Sequence, residues 1–158
     1  MADLDGLRRA APCDAPLIER LVTEAYTVYV DRIGMKPNPM VDDYARRIAG
    51  DEVWVLGHES LDAVLVLVDE GEFLLIDNVA VRPDRQGHGI GGSLVSFAER
   101  RARDSGRDEV RLYTNQAMTE NRARYAHWGY REIGLETING RRAVWLAKKI
   151  DRKSGTGT

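Results

Sequence analysis

Four glycines, Gly87, Gly89, Gly91 and Gly92, fall within six positions. They lie between an apolar run that ends at Pro83 and a helical pattern that begins at Ile90. No other stretch of the chain restricts the fold so much. Glycine tolerates positive φ and lets the backbone come close to a ligand. Free N–H groups at a helix start form an anion site, reinforced by the helix dipole. Residues 79–94 therefore read as a strand, a turn able to cradle a phosphate, and a helix. The alternative is a glycine-rich turn that binds nothing, but a plain strand-to-helix turn does not need so many glycines.

The rest of the chain supplies a frame for this turn. Its 158 residues suit one domain with a real core, taken here as residues 1–150. With 43% hydrophobic and 30% charged residues and a formal charge of −2, it reads as an ordinary soluble protein. This balance gives no reason to expect a nucleic acid or an anionic membrane as partner. No apolar run is long enough to span a bilayer, and the first residues lack the apolar segment of a signal peptide, so a cytoplasmic location is expected. Cys13 is the only cysteine, which excludes an intrachain disulfide. His58, His88 and His127 are scattered and show no metal-ligand spacing, so no metal is expected.

A short strand is read at residues 7–10. Asp14 is placed to cap a helix whose apolar positions Leu17, Ile18, Leu21, Val22 and Ala25 recur three and four apart, ending near Gly34. Pro39 is placed to start a second helix over 40–49. Strands at 53–56, 63–68 and 73–81 are joined by short turns and read as an antiparallel meander. The helix after the glycine turn stops at Gly106. A strand at 110–114 follows this crossover helix and should lie parallel to 73–81. A short helix is read at 119–128. Strands at 131–138 and 141–150 flank Asn139-Gly140, a strong hairpin signal. Residues 151–158 read as a disordered tail.

Three phosphate cradles compete for the glycine turn. A Walker loop requires Lys-Ser/Thr after its last glycine, and here Ser93 follows Gly92 with no lysine. Gly87, Gly89 and Gly92 match the dinucleotide pattern G-x-G-x-x-G with Asp108 downstream, but the strand falls in mid-chain without a preceding Rossmann start. The better fit is Gln86-x-x-Gly89-x-Gly91 after a Val-Ala-Val-x-Pro strand end. This resembles the acetyl-CoA-binding motif of the GNAT superfamily of N-acetyltransferases. A second segment, from Thr114 to Tyr130, resembles the closing motif of that family, in which a tyrosine precedes a Gly-aromatic pair by four residues. Tyr125 with Gly129-Tyr130 fits. Met118 departs from it, because many members carry Asn there; Asn121, three residues on, is the candidate for an equivalent polar contact. Ile33-Gly34-Met35-Lys36-Pro37 and Pro39-Met40 also resemble a bacterial subgroup of the family.

The resemblance covers roughly residues 7–150. It implies an α/β (α+β) fold with a mixed, mostly antiparallel sheet, a splayed parallel strand pair and about four flanking helices. It implies acetyl-CoA as co-substrate, lying in the V between strands 73–81 and 110–114. Val79 and Val81 would pair with the pantetheine arm, and backbone N–H groups of Gln86, Gly87, His88, Gly89, Ile90, Gly91 and Gly92 would hold the pyrophosphate. A backbone N–H near Val79 would polarise the thioester carbonyl.

Chemistry assigns the remaining residues. An amine attacking a thioester expels a thiolate, and the Tyr125 hydroxyl is the candidate proton donor to it. Asp77, two residues before Val79, is the candidate base; its alternative is a carboxylate at a strand bulge bonded to backbone. Tyr26 and Tyr29 on the first helix and Tyr113 on the splayed strand are candidates for walling the acceptor site. The expected activity is transfer of acetyl to a primary amine of a small molecule or peptide, in a ternary complex. The competing class is an acyl-CoA binding or sensing module without turnover. The resemblance also allows a homodimer.

Overall fold

Period-two alternation and continuous apolar runs build seven strands: β1 (Leu7–Arg9), β2 (Val53–Gly57), β3 (Leu61–Asp69), β4 (Leu74–Val81), β5 (Glu109–Asn115), β6 (Arg131–Ile138) and β7 (Arg141–Lys149). They form one sheet in the order β1-β2-β3-β4-β5-β7-β6. Among the described residues only β4 and β5 are parallel; every other neighbouring pair is antiparallel. The structure is a computed structural model and describes residues 2–151. Apart from Asp151, the tail expected to be disordered lies outside the described residues.

Four α-helices accompany the sheet: α1 (Ala15–Ile33), α2 (Tyr44–Ala49), α3 (Ile90–Asp104) and α4 (Thr119–His127). Alternate residues of β3 show why its apolar run is unbroken. Val64 and Val66 pack with Ile18 and Val22 of α1, while Ala63 and Leu65 pack with Leu94 and Ala98 of α3. A strand covered on both faces has no solvent face on which to place polar residues. This is the mixed, mostly antiparallel fold that the sequence leads one to expect, including the parallel pair.

Three local expectations need correction. Asp14 precedes α1 but its side chain caps none of that helix's N–H groups. Its carboxylate instead accepts from the Ala11 N–H at 2.7 Å and from both terminal nitrogens of Arg8 at 2.8 and 3.0 Å. A buried carboxylate gains more from a guanidinium than from a neutral donor. The second helix starts at Tyr44, not Met40. Pro39 sits in a 3-10 turn, Asn38–Val41, and Asp43 caps α2 by accepting from the Arg46 N–H at 3.1 Å. The first strand stops at Arg9, although the Ala10 N–H still bonds Val53.

The hairpin between β6 and β7 turns where its signal places it. Asn139 and Gly140 both have positive φ, 52° and 76°, as a turn matched to the strand twist requires. The tip does not stand free: Asn139 donates to Asn38 Oδ1 at 3.2 Å and Arg141 to the Lys36 carbonyl at 2.6 Å. The hairpin thus closes over the segment between α1 and α2.

Candidate active site

The site begins where β4 and β5 separate. They pair only from Leu74↔Val110 to Ile76↔Leu112. On its other side, β4 pairs with β3 through Leu67↔Ile76 and then Val66↔Asn78, which leaves Asp77 as an extra residue. Such a bulge bends its strand. Beyond it the strands diverge and leave a gap.

Backbone geometry decides what lines that gap. The Arg82 N–H bonds the Asp62 carbonyl, so these two residues form a hydrogen-bonded pair in the β3–β4 ladder. Hydrogen-bonded and non-bonded pairs alternate along an antiparallel ladder. Val81 and Val79, opposite Ala63 and Leu65, are therefore non-bonded pairs. Their N–H and C=O groups point away from β3. The carbonyls are met by side chains: Gln86 Nε2 lies 3.0 Å from Val81 O, and the Tyr26 hydroxyl lies 3.3 Å from Val79 O.

The glycine turn completes an open cleft. Gly89 adopts left-handed φ, +84°, at the start of α3. The first amide bonded within the helix is that of Ser93, to Gly89 O, so the N–H groups of Ile90, Gly91 and Gly92 precede it. Gly91 shows that the floor is open. A Cβ there would meet only Trp128 at 3.8 Å and Val81 at 4.0 Å, so protein packing alone does not demand glycine. Gly92 differs, since its Cβ would come within 3.1 Å of the Trp128 ring. Arg124 adds positive charge to the wall, and Arg85 stands there too, with Asp62 3.7 Å from its Nε. A bare floor, free amides and the Arg124 guanidinium fit a phosphate-bearing ligand such as acetyl-CoA. Of residues 86–92, His88 does not line the cleft; its ring nitrogen sits 3.1 Å from Arg85 O.

A second, narrower cavity lies deeper in the gap. Tyr26, Val79, Asn121 and Tyr125 line both spaces. Tyr125 is 8% exposed, and its ring stands edge-on to Trp128 and Tyr130, with centroids 5.7 and 6.0 Å away. Among the described residues its hydroxyl has no hydrogen-bond partner. Burial raises its pKa above the ordinary tyrosine value, so the hydroxyl stays protonated at neutral pH.

Asp77 and Tyr113 line the inner cavity and touch each other. The Tyr113 hydroxyl donates to Asp77 Oδ1 at 2.9 Å, and Arg47 Nη2 lies 2.9 Å from Asp77 Oδ2. The Asp77 side chain is 8% exposed. Burial raises its pKa, while Arg47 and Tyr113 pull it back down. Arg47 also pairs with Asp42 at 3.1 Å and Glu52 at 3.0 Å. Burial works against the Arg47 charge, but these three carboxylates outweigh it and raise its pKa. The bulge expected as the bland alternative for Asp77 is present. The partners are side chains rather than backbone.

The candidate acceptor residues separate. Tyr113 lines the inner cavity, Tyr29 lines only the outer cleft beside Arg32, and Tyr26 lines both. Tyr26 also belongs to a buried chain: its hydroxyl lies 2.8 Å from Asn78 Oδ1, Asn78 Nδ2 donates to the Tyr44 hydroxyl at 3.1 Å, and Tyr44 donates to Pro39 O at 2.6 Å. Asn121 stands at the junction, with its Oδ1 accepting from Arg124 at 3.1 Å. Met118 is buried, with its sulfur 3.8 Å from the Thr114 hydroxyl. Sequence reasoning passes over Asn78, Arg47 and Trp128. A polar Asp-Asn pair inside the apolar β4 run is the signal for Asn78. Arg47 has no local signal, because its partner Asp77 is 30 positions away.

A family model described as Acetyltransferase (GNAT) domain matches residues 49–132. The chain belongs to the GNAT acetyltransferases. PaiA N-acetyltransferase from Thermoplasma acidophilum, solved in complex with coenzyme A, superposes with a TM-score of 0.73 at 15% identity, over 90% of this chain and 97% of that one. The protein yncA from Salmonella typhimurium, solved with its cofactor acetyl-CoA, gives 0.67 at 16% identity over 92% and 93%. Nourseothricin acetyltransferase gives 0.58 at 22% identity, over 63% of this chain and 65% of its own length. These likenesses establish the shared fold. No curated protein matches the chain. Among the described residues, no group of His, Cys, Asp or Glu is placed to hold a metal ion, and no helix is long and apolar enough to cross a membrane.

Proposed function

We propose that the protein transfers an acetyl group from acetyl-CoA to a primary amine by direct attack in a ternary complex. One observation carries this reading: the outer cleft and the inner cavity meet at Val79, Asn121 and the unpartnered hydroxyl of Tyr125. A molecule in each space would bring its reacting end to the same place.

Bound acetyl-CoA supplies an acetyl thioester. The N–H groups of Ile90, Gly91 and Gly92 hold its phosphates, assisted by Arg124. Val79 and Val81 offer N–H groups to an extended arm, and the Val79 N–H polarises the thioester carbonyl. Asp77 draws the proton from the attacking amine, directly or through the Tyr113 hydroxyl. As the N–C bond forms and the C–S bond breaks, the Tyr125 hydroxyl gives its proton to the leaving sulfur. Asp77 then releases the amine proton to solvent, and the Tyr125 phenolate takes a proton back from solvent, so that the cycle closes.

The experiment is acetyl-CoA incubated with a panel of primary amines, read by thiol release and by product mass. A product 42 mass units heavier, formed in step with free thiol, supports the transferase reading; this increment follows from replacing one hydrogen by acetyl. Tight acetyl-CoA binding with no thiol release from any amine would leave an acyl-CoA binding module instead.

A further inference from the structure

The inner cavity has a second opening. Asn115, Arg141 and Arg142 line both it and an outer depression that also holds Arg32, beneath the tip of the β6–β7 hairpin. The residues around this opening carry three guanidinium groups and no carboxylate. Arg32 is neutralised by Glu120, outside the depression, at 2.6 Å. Arg141 donates to the carbonyls of Lys36 and Asn139 and meets no carboxylate among the described residues. The Arg142 side chain makes no hydrogen bond, ion pair or ring contact among the described residues, while its backbone is fixed in β7 and accepts from the Gln116 N–H. Two uncompensated positive charges therefore stand at the mouth.

The inner end has the opposite sign. A single guanidinium, Arg47, faces the three carboxylates of Asp42, Glu52 and Asp77. Asp77 is reached through Tyr113, and the mouth begins at Asn115, two residues further along β5. Two residues of strand span about 7 Å. The cavity thus runs from Asp77, backed by this acidic cluster, to a positive mouth over the length of a small molecule.

We infer that the acceptor is a small primary amine that also carries a carboxylate. Its amine lies toward Asp77, and its carboxylate is read by Arg142 with support from Arg141. A guanidinium and a carboxylate form the strongest class of charge-assisted hydrogen bond, and a neutral amide in the same position forfeits the charge. The inference rests on the transferase reading and narrows its substrate.

The test compares matched pairs that differ only in the acid: glycine with glycinamide, β-alanine with its amide, and 4-aminobutyrate with its amide. Wild-type protein should acetylate at least one acid with kcat/KM about 10-fold or more above its amide, the scale of one charged hydrogen bond. Arg142→Gln should bring that ratio toward one through a higher KM, and Arg142→Lys should keep part of it. The side chain is exposed, so both variants should fold. Amides accepted as well as the acids, or a ratio unmoved in Arg142→Gln, would overturn the assignment and leave the transferase reading in place. Acetyl-CoA binding without thiol release from any amine would overturn both.

Discussion

The Tyr113 hydroxyl on β5 donates a 2.9 Å hydrogen bond to Asp77 on β4, across the gap where the two strands no longer pair. The carboxylate is held from the other side by Arg47 at 2.9 Å. Both donors favour its ionised form, against burial that disfavours it. Tyr113→Phe removes one of them, so the Asp77 pKa should rise further. If Asp77 takes the amine proton while ionised, the acidic limb of the kcat/KM pH profile should move to higher pH. A limb that stays in place would remove Asp77 from the proton path.

Asp77 should also weigh against stability. Its folded pKa lies above the ordinary value of 3.8. A group raised in this way supports the fold fully below that ordinary value, and the support is lost as pH rises through the folded value. At neutral pH the ionised, buried carboxylate is therefore a burden. Asp77→Asn leaves Arg47 with Asp42 and Glu52, so its charge remains compensated. Thermal melts at pH 7 should show no loss of stability, while acetyl transfer falls by about 10²-fold or more. A large fall in melting temperature with normal turnover would contradict this division.

Arg8 and Asp14 respond to acid in the opposite sense. The Arg8 hydrogen bonds lower the Asp14 pKa below 3.8. That stability is present above 3.8 and is lost as pH falls through the lower folded value. The Asp14 side chain is 4% exposed and that of Arg8 27%. Asp14→Ala should destabilise by about 2–3 kcal/mol in denaturant melts at pH 7, less than a fully buried pair because Arg8 keeps access to water. The difference from wild type should shrink when the melts are repeated below the folded pKa. A penalty that does not change with pH would place the stabilisation elsewhere.

Gly91 separates ligand binding from folding. The neighbouring Gly89 and Gly92 cannot do so, because one has positive φ and the other abuts Trp128. Wild-type protein should melt at a higher temperature with coenzyme A, as a ligand of the folded state requires. Gly91→Glu places a carboxylate where phosphate is expected, so the shift with coenzyme A should vanish while the unliganded melting temperature changes little. A preserved shift would move the phosphates away from the α3 N-terminus.

The glycine turn, the meander and the Asn139-Gly140 hairpin are legible in the sequence because their signals are local. Each depends on residues a few positions apart whose backbone preferences leave few choices. The parallel partner of β4 is legible too, through the length of the connection that α3 must make. The chemistry around Asp77 is not. It depends on Arg47, 30 positions before it, and Tyr113, 36 after it, and only the bulge and the splay bring them together. Asp14 misleads for a different reason: its position suggests a cap, but Arg8, only six positions before it on β1, takes its carboxylate. Tyr29 and Tyr26 sit one turn apart on α1, yet only Tyr26 reaches the inner cavity. A sequence does not show where one space ends and the next begins.

Tyr125 carries the central claim, because it lines both spaces and its hydroxyl has no partner among the described residues. The measurement is kcat for acetyl transfer by Tyr125→Phe on the best amine, together with coenzyme A affinity and the melting temperature. Phenylalanine keeps the ring against Trp128 and Tyr130 and removes only the donor. A hydroxyl that protonates the leaving sulfur should cost about 10²–10⁴-fold in kcat when removed, with coenzyme A affinity nearly unchanged. A folded Tyr125→Phe protein that turns over at the wild-type rate would show that the proton comes from another group.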